Sequence, residues 1–272
     1  RQWMPKSYQL TNKWFTEISD KPLSDPRLIR RNPLAGYWEC RKKIDGAKVA
    51  IKPSERQIKI NHIMLSKTDE VLESYDKFMV NVVTSIGTSA IMPAQLSMMR
   101  IFSKGSLNQG GRLYSAVQNY KVKTRKYLYF DKEPTLEIDY SSFHPHLLYH
   151  QDGLQFAGDD PYVIEGFDRG HVKVAFNIML NRKGSKNNKS AANTISDELG
   201  IDTEASEELE IAILELHSPI TQHFNSGIGL KLQRLDSDIA MSVIDYFVNV
   251  LKRPIVSIHD SFIVSVRDTE SL

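Results

Sequence analysis

The sequence is poor in cysteine and has no long apolar run. Its single cysteine, Cys40, excludes an internal disulfide and a zinc site built from four cysteines. No stretch reaches the roughly 18 uncharged apolar residues that a membrane-spanning helix needs. No signal-peptide pattern opens the chain either, so we expect a protein that works in a reducing, cytoplasmic setting.

Each half of the chain is short of charge of one sign. Residues 1–135 contain 24 Lys and Arg against 12 Asp and Glu, whereas residues 136–272 contain 11 against 21. The basic half favours a surface that faces a polyanion, and the acidic half offers carboxylates that a metal ion can use. Basic halves also occur in proteins that never contact nucleic acid, so charge alone leaves both interpretations open. With 41% apolar and 25% charged residues, the chain has the composition of an ordinary globular protein with one or two cores.

The spacing of apolar residues divides the chain into predicted helices and strands. Residues 1–60 are typical of an irregular basic segment with one hairpin, and the helical spacing from Asn61 to Arg100 predicts one or two helices ending near Pro93. Further along, the patterns predict a strand at Thr135–Asp139, helices at Phe143–His150, Arg169–Leu180, Glu204–His217 and Asp236–Leu251, and a strand pair at Pro254–Val266. Strands that carry acids at their tips, with helices on one side, indicate an α+β palm.

Two aspartates end predicted apolar strands. Asp139 follows Leu136-Glu137-Ile138, and Asp260 lies at the turn of the last strand pair. A lone carboxylate at a buried strand tip is costly to desolvate, and a bound cation removes that penalty. Phosphoryl transfer to a 3′-hydroxyl uses two divalent cations about 3.5–4 Å apart, and Mg²⁺ prefers oxygen ligands of this kind. The alternative is that each aspartate only caps a turn or a helix.

Two cations lie between these aspartates in the chain. Arg169 and Lys173 are four residues apart, so they share one face of a predicted helix. Cations in such a place can neutralise the charge that develops on a triphosphate. A pair at this spacing is also common on a solvated surface, and its position between the two aspartates is what favours the nucleotide interpretation.

Five short motifs in order from Gly110 to Val266, about three-fifths of the chain, give a more specific signal. They are Gly110-Gly111-Arg112-Leu113-Tyr114-Ser115 with Gln118-Asn119, Arg125 and Phe130; Asp139-Tyr140-Ser141; Arg169 and Lys173 with Asn177 and Asn181; Gln233 with Asp238; and His259-Asp260-Ser261. This series resembles motifs A, B and C of the family A polymerases, the DNA polymerase I-like family, together with the segments that flank them.

The resemblance implies an α+β right-hand polymerase with an antiparallel-sheet palm, helical fingers and an N-terminal basic helical region. The implied domain bounds are 1–105 for the N-terminal, thumb-like region, 106–160 and 231–272 for the palm, and 161–230 for the fingers.

The resemblance also implies a role for each matching residue. Asp139 and Asp260 would hold two Mg²⁺ ions, which Mn²⁺ can replace, with the Tyr140 carbonyl as a further ligand. Arg169 and Lys173 would bind the triphosphate, and Lys173 would protonate the leaving pyrophosphate. The other implied nucleotide contacts are Tyr140, His144, Tyr162, Asn177 and Asn181, and the implied primer–template contacts are Arg112, Arg125, Gln233 and His259.

Several positions depart from the family pattern. His144 stands where a glutamate usually helps to exclude the ribose 2′-hydroxyl, so ribonucleotide use is expected as well. Asn177 and Asn181 replace aromatic residues of the fingers helix, and Ser261 replaces the usual second acid, as in single-subunit phage RNA polymerases. The short segment before Arg169 implies trimmed fingers, and no acid cluster typical of a proofreading exonuclease occurs in residues 1–105.

The leading hypothesis is therefore a template-directed DNA polymerase that also starts strands de novo, like the primase-polymerase of a phage or mobile element. Its expected partners are a DNA template and primer, dNTPs and NTPs, and a helicase or small accessory subunit. The alternatives are a single-subunit RNA polymerase or primase, and an inactive polymerase fold that binds nucleic acid or protein. His146 and His150 have a spacing that zinc can use, but no third ligand follows at a convincing position.

Overall fold

The computed structural model describes residues 36–184 and 190–272. The first 35 residues of the predicted N-terminal region lie outside the described residues, as do residues 185–189. The chain forms two compact units, of which the first contains residues 36–139 and Asp236–Leu272 and the second is Tyr140–Leu235. Helices and sheets occur together, so the protein is α+β, as predicted.

The strands of the described residues all lie in the first unit. They are β1 (Trp38–Ile44), β2 (Ala47–Ile51), β3 (Thr84–Ile86), β4 (Ser89–Ala90), β5 (Met99–Ser103), β6 (Ser106–Tyr114), β7 (Leu128–Phe130), β8 (Glu133–Asp139), β9 (Ile255–Ile258) and β10 (Ser261–Ser265). They form a four-stranded sheet in the order β2-β1-β5-β6 and a six-stranded sheet in the order β4-β3-β7-β8-β10-β9. The second sheet is antiparallel throughout, whereas β1 and β5 run parallel.

The helices are divided between the two units. They are α1 (Glu55–Ile60), α2 (His62–Met79), α3 (Pro93–Leu96), α4 (Val122–Arg125), α5 (Phe143–Gln151), α6 (Arg169–Asn181), α7 (Ala192–Leu199), α8 (Thr203–Leu216) and α9 (Gly229–Asp245). A π-helix at Tyr246–Leu251 continues α9. Within the described ranges, no helix combines the length and the apolar character needed to cross a membrane.

The β1–β2 hairpin is explained by the dipeptide Asp45-Gly46. Its residues have positive φ values of 48° and 83°, as a two-residue type I′ turn requires. Ile44 pairs with Ala47 directly across this turn. The hairpin predicted within residues 1–60 is confirmed.

The strand pair β9–β10 forms the most buried part of the six-stranded sheet, because each of its residues is buried. The two-residue turn His259-Asp260 joins the strands, since Ile258 pairs with Ser261 across it. β10 also pairs with β8 on its other side. The strand pair predicted at Pro254–Val266 and the strand predicted to end at Asp139 are both confirmed.

The prediction of helix as far as Pro93 was wrong beyond Met79. The helix α2 ends there, and the chain then forms β3 and β4. The sequence Val82-Val83-Thr84 consists of β-branched residues, which favour strands, and Gly87 has a positive φ of 57° in the turn that follows β3. The described part of the predicted basic helical region therefore contains strands as well as helices.

The predicted helices of the second half are confirmed, with one change of boundary. α5, α6 and α8 match their predicted ranges within about two residues, which is the usual uncertainty of helix ends. α9 begins at Gly229, seven residues before the predicted start at Asp236.

The core of the second unit is aromatic. The Phe176 ring on α6 lies 4.9 Å from the His217 ring, 5.2 Å from the Phe224 ring and 5.5 Å from the Tyr162 ring, measured between centroids. These edge-to-face pairs stabilise the unit beyond the burial of their surface.

Arg100 on β5 is a buried cation at the centre of the first unit, with 1% of its surface exposed. Its guanidinium donates to the Gly111 carbonyl at 3.0 Å, to the Thr68 hydroxyl at 3.1 Å and to Asp238 at 2.6 Å. It also donates to the Ser237 hydroxyl. The guanidinium thus joins β5 and β6 to the helices α2 and α9.

Replacing Arg100 by alanine should lower the free energy of unfolding by roughly 3 kcal/mol, because buried acceptors lose their donor and Asp238 loses its cation. Urea unfolding followed by circular dichroism measures this loss. The matched control is Arg267→Ala, whose side chain is 52% exposed and should contribute at most about 1 kcal/mol. Equal losses for the two variants would contradict the central role of Arg100.

Candidate functional site

The two predicted metal-binding aspartates are brought together by strand pairing in the first unit. Asp139, the last residue of β8, is the register partner of Ser261 on β10. Directly opposed residues of antiparallel strands have Cα atoms about 4.5–5.5 Å apart. Asp260 immediately precedes Ser261, so it lies next to this pair at the end of the sheet.

The burial expected at these strand tips was partly wrong. The side chain of Asp139 is exposed and that of Asp260 is half-buried. The cost of desolvating a carboxylate therefore does not distinguish the end of β8 and the start of β10. Its distinguishing feature is that two like charges occupy adjacent positions at one sheet end.

Glu137, which the sequence analysis did not single out, connects the two strands behind the aspartates. The Arg125 guanidinium donates to both of its carboxylate oxygens, at 2.9 and 2.6 Å. The Ser261 hydroxyl donates to Glu137 at 2.9 Å and lies 3.0 Å from the Ile258 carbonyl. This Arg125–Glu137–Ser261 network fixes β10 against β8 one residue away from Asp260.

Arg125 has a different place from the one predicted for a template contact. It is buried at 8% exposure, and its Nη1 donates to the Tyr120 carbonyl at 2.8 Å. The guanidinium is thus held inside the protein by Glu137 and the chain around α4. One feature of the sequence indicated Glu137. It lies two residues before Asp139 and therefore on the same face of the strand.

The turn that carries Asp260 also contacts β6. The His259 ring lies 5.4 Å from the Tyr114 ring in an edge-to-face arrangement. Burial, followed by the nearby Arg112 guanidinium, lowers the pKa of His259, while Asp260 and Asp236 act in the opposite direction. Arg112 itself bonds Asp236 at 3.1–3.2 Å and is partly exposed.

In the second unit, Arg169 and Lys173 lie over one aromatic ring. The guanidinium carbon of Arg169 is 5.6 Å and the Lys173 Nζ is 6.0 Å from the centre of the Tyr162 ring. Tyr162 is itself 3% exposed. Cations over an aromatic face are attracted by its quadrupole, so the Tyr162 ring positions both side chains on the first two turns of α6.

Asp160 completes this group of residues. It accepts from the Arg169 Nε at 2.7 Å and from the Tyr162 amide at 2.9 Å. Desolvation raises the pKa of Asp160, but the bonds from Arg169 and Tyr162 more than offset it, so the pKa is lowered overall. The same contact raises the pKa of Arg169.

His217 contacts the segment Asp160-Pro161-Tyr162 and holds it in place. Its Nε2 lies 2.9 Å from the Pro161 carbonyl and its Nδ1 lies 3.1 Å from the Tyr149 hydroxyl. Because a carbonyl only accepts, Nε2 carries the proton and Nδ1 of the neutral ring accepts from Tyr149. Burial lowers the pKa of His217, although the Pro161 carbonyl acts against this.

The other predicted contacts are placed as follows. Asn177 and Asn181 follow Lys173 at intervals of four on α6, and each amide donates to the carbonyl four residues earlier, at 2.8 and 2.9 Å. His144 is half-buried in the first turn of α5, and Gln233 is half-buried on α9. Tyr140 is half-buried after Asp139, with its ring 5.8 Å from Phe143. Their roles stay predictions.

The donor set at the end of β8 and β10 fits Mg²⁺. Mg²⁺ takes oxygen ligands, retains several waters and is often held by one or two carboxylates, and Asp139 and Asp260 supply two. Among the described residues, no group of three or more His, Cys, Asp or Glu is arranged to hold a metal ion. The two carboxylates of Asp139 and Asp260 are a smaller set than such a group of three.

Comparison with models of known protein families gives no match. Comparison with curated proteins gives no significant match either.

Replacing Glu137 by alanine should lower the free energy of unfolding by roughly 3 kcal/mol, because the buried Arg125 loses its counter-ion. The control Glu198→Ala removes an exposed carboxylate of α7 and should change stability by about 0.5 kcal/mol or less. Denaturant unfolding of both variants measures the difference. A loss for Glu137→Ala no larger than that of the control would exclude the network as a structural element.

Stability should fall as the pH falls below about 6.5, the ordinary pKa of histidine. The folded state keeps His217 neutral, so the unfolded state binds a proton at a higher pH than the folded state does. Protonation therefore lowers the free energy of unfolding by up to about 1.4 kcal/mol per pH unit. Unfolding curves at pH 7.5 and 5.5 test this. His217→Gln should reduce the pH dependence, and His259, whose pKa is also lowered, should account for part of what remains. An unchanged pH dependence in His217→Gln would disprove the assignment.

Proposed function

We propose that the chain is the polymerase core of a DNA polymerase I-like enzyme, with the palm in the first unit and the fingers in the second. The observation that carries the proposal is the register of β8 and β10, which sets Asp139 beside the turn that contains Asp260. The order of the five motifs along the chain supports it independently. The substrates are a nucleic-acid template, a primer and nucleoside triphosphates.

In this proposal, Asp139 and Asp260 hold two Mg²⁺ ions through their carboxylates. Mg²⁺ held by these carboxylates would supply the positive charge that activates a 3′-hydroxyl and neutralises a leaving pyrophosphate. The protein contributes the fixed position of the two carboxylates. The Arg125–Glu137–Ser261 network maintains that position, because it ties the two strands together directly behind the aspartates.

Arg169 and Lys173 are proposed to bind the triphosphate of the incoming nucleotide. Both extend from the N-terminal half of α6, where the helix dipole also favours an anion. In the structure, the Arg169 guanidinium bonds the Asp160 carboxylate. A triphosphate has a larger negative charge, so it can replace this carboxylate as the ion-pair partner of Arg169. In this proposal, Lys173 also donates a proton to the leaving pyrophosphate.

A second candidate function is RNA synthesis, as in a primase or a single-subunit RNA polymerase. It is favoured by His144 at the position of the usual sugar-excluding glutamate. It is also favoured by Ser261, which stands where DNA polymerases of the family carry a second acid. Ser261 is uncharged and its hydroxyl donates to Glu137, so this position supplies no second acid.

Asp139→Asn and Asp260→Asn should each reduce nucleotide incorporation by about a thousandfold or more, because metal binding contributes several kcal/mol to phosphoryl transfer. The assay supplies Mg²⁺, primed or unprimed single-stranded DNA, and either dNTPs or NTPs. The control Asp197→Asn removes an exposed carboxylate of α7 and should leave incorporation unchanged.

The products separate the two candidate functions. Primer extension with dNTPs supports the DNA polymerase, whereas products made from NTPs without a primer support the second candidate. Retained template binding and unchanged thermal stability show that each aspartate variant is folded. Full incorporation by either aspartate variant would refute the carboxylate assignment.

A further inference from the structure

We propose that the outer face of the β1–β2 hairpin, here called the basic hairpin (Trp38–Ile44 and Ala47–Ile51), binds the phosphate backbone of nucleic acid. The inference deepens the proposed function, on which its biological setting rests. It names a surface that the catalytic assignment does not use.

The basic hairpin has two faces of opposite character, because successive side chains of a strand point to opposite sides. On the inner face, Trp38, Cys40 and Ile51 belong to a hydrophobic cluster with Leu65, Phe102 and Leu107. On the outer face, the alternation places Glu39, Arg41, Lys43, Lys48 and Ala50. The hairpin is thus anchored by its apolar side near Cys40 and presents Arg41, Lys43 and Lys48 on its outer face, while the exposed Lys42 lies on the inner face beyond the cluster.

Two of these cations oppose one another directly. Lys43 and Lys48 are register partners across the antiparallel pair, and both are exposed. Like charges at opposed positions destabilise a strand pair. The acid on this face, Glu39, bonds Arg41, and within the described residues neither lysine forms an ion pair. Two opposed lysines that form no ion pair with another described residue make a surface that an external polyanion can neutralise.

The hairpin also extends beyond the sheet that anchors it. β1 pairs with β5 only from Trp38 to Cys40 in the described register, whereas its pairing with β2 continues to Ile44. The outer part is therefore a two-stranded ribbon, a shape that fits a groove of duplex DNA. The outer face carries charged side chains, so it recognises the backbone without reading the bases.

Within the first unit, the four-stranded sheet that carries the basic hairpin also contacts the turn of Asp260, but at the opposite end of its strands. β2 and β6 are the two edges of the four-stranded sheet, about 14 Å apart at the usual strand spacing. β6 ends at Tyr114, whose ring contacts His259 beside Asp260. Tyr114 is level with the Trp38 end of β1, so Lys43 and Lys48 lie roughly 20 Å further along the strands. The basic hairpin would therefore hold nucleic acid at a second point, away from the candidate catalytic turn.

The test uses the double variant Lys43→Gln/Lys48→Gln. Binding of a fluorescent 20-nucleotide DNA, single-stranded or duplex, is measured by anisotropy in EDTA at several salt concentrations. We expect at least a tenfold loss of affinity at low salt for DNA of any sequence. The slope of log K against log salt should fall by about 1.5, since each lost phosphate contact contributes about 0.7–0.9.

The matched control is Lys77→Gln/Lys252→Gln, which removes two exposed lysines of the same unit and should leave the salt slope unchanged. The hairpin variant should be as stable as the parent protein or more stable, because the Lys43–Lys48 repulsion is gone. Unchanged affinity and slope in the hairpin variant would overturn the proposal. Binding of poly-glutamate as tight as that of DNA would overturn it too, because the surface would then favour an acidic protein.

This test is separable from that of the proposed function, because EDTA removes catalysis from the measurement. Asp139→Asn and Asp260→Asn should bind DNA at least as tightly as the parent protein, because they remove negative charge and leave the basic hairpin intact, while the hairpin variant should need more template for half-maximal incorporation. If the parent protein binds DNA through the basic hairpin but incorporates no nucleotide, the inference stands and the polymerase assignment fails.

Discussion

The pairing of β8 with β10 is the constraint on which the rest of the first unit depends. A shift by one residue would turn every side chain of a strand to the opposite face, and Asp139 would then no longer accompany Ser261. The register is held by the short His259-Asp260 turn and by the buried ion pair between Arg125 and Glu137. An apolar sheet centre thus ends in a polar network, and the two aspartates extend just beyond it.

The second unit uses burial for a comparable purpose. His217 is kept neutral among aromatic rings, and it holds the Pro161 carbonyl with the nitrogen that carries its proton. That contact fixes the chain between Asp160 and Tyr162, and the Tyr162 ring in turn positions the cations of α6. In both units, exposed charges are therefore positioned by less exposed groups, which are an ion pair in the first unit and a neutral histidine in the second.

Local sequence patterns predicted much of the fold because the helices α5, α6 and α8 have a helical period, β8 alternates, and β9 and β10 are short, buried, mainly apolar segments on either side of a turn. The long predicted helix failed after Met79, since a short β-branched stretch and a glycine turn outweighed the helical spacing there. The nearness of Asp139 and Asp260 was predicted from a resemblance. Glu137 was missed because its structural role depends on an ion pair with Arg125, twelve residues away. Spacing in a sequence does not show which charged residues form an ion pair in the folded protein.

His259 has a backbone φ of 56°, a left-handed conformation that costs a residue with a Cβ about 1 kcal/mol. Glycine or asparagine would occupy this turn more comfortably. If stability were the sole selective pressure, selection among descendants of this gene would favour glycine or asparagine at position 259. Persistence of histidine at this position in diverging lineages would therefore mark selection for its ring, and its replacement by glycine would mark a lineage that has lost that requirement.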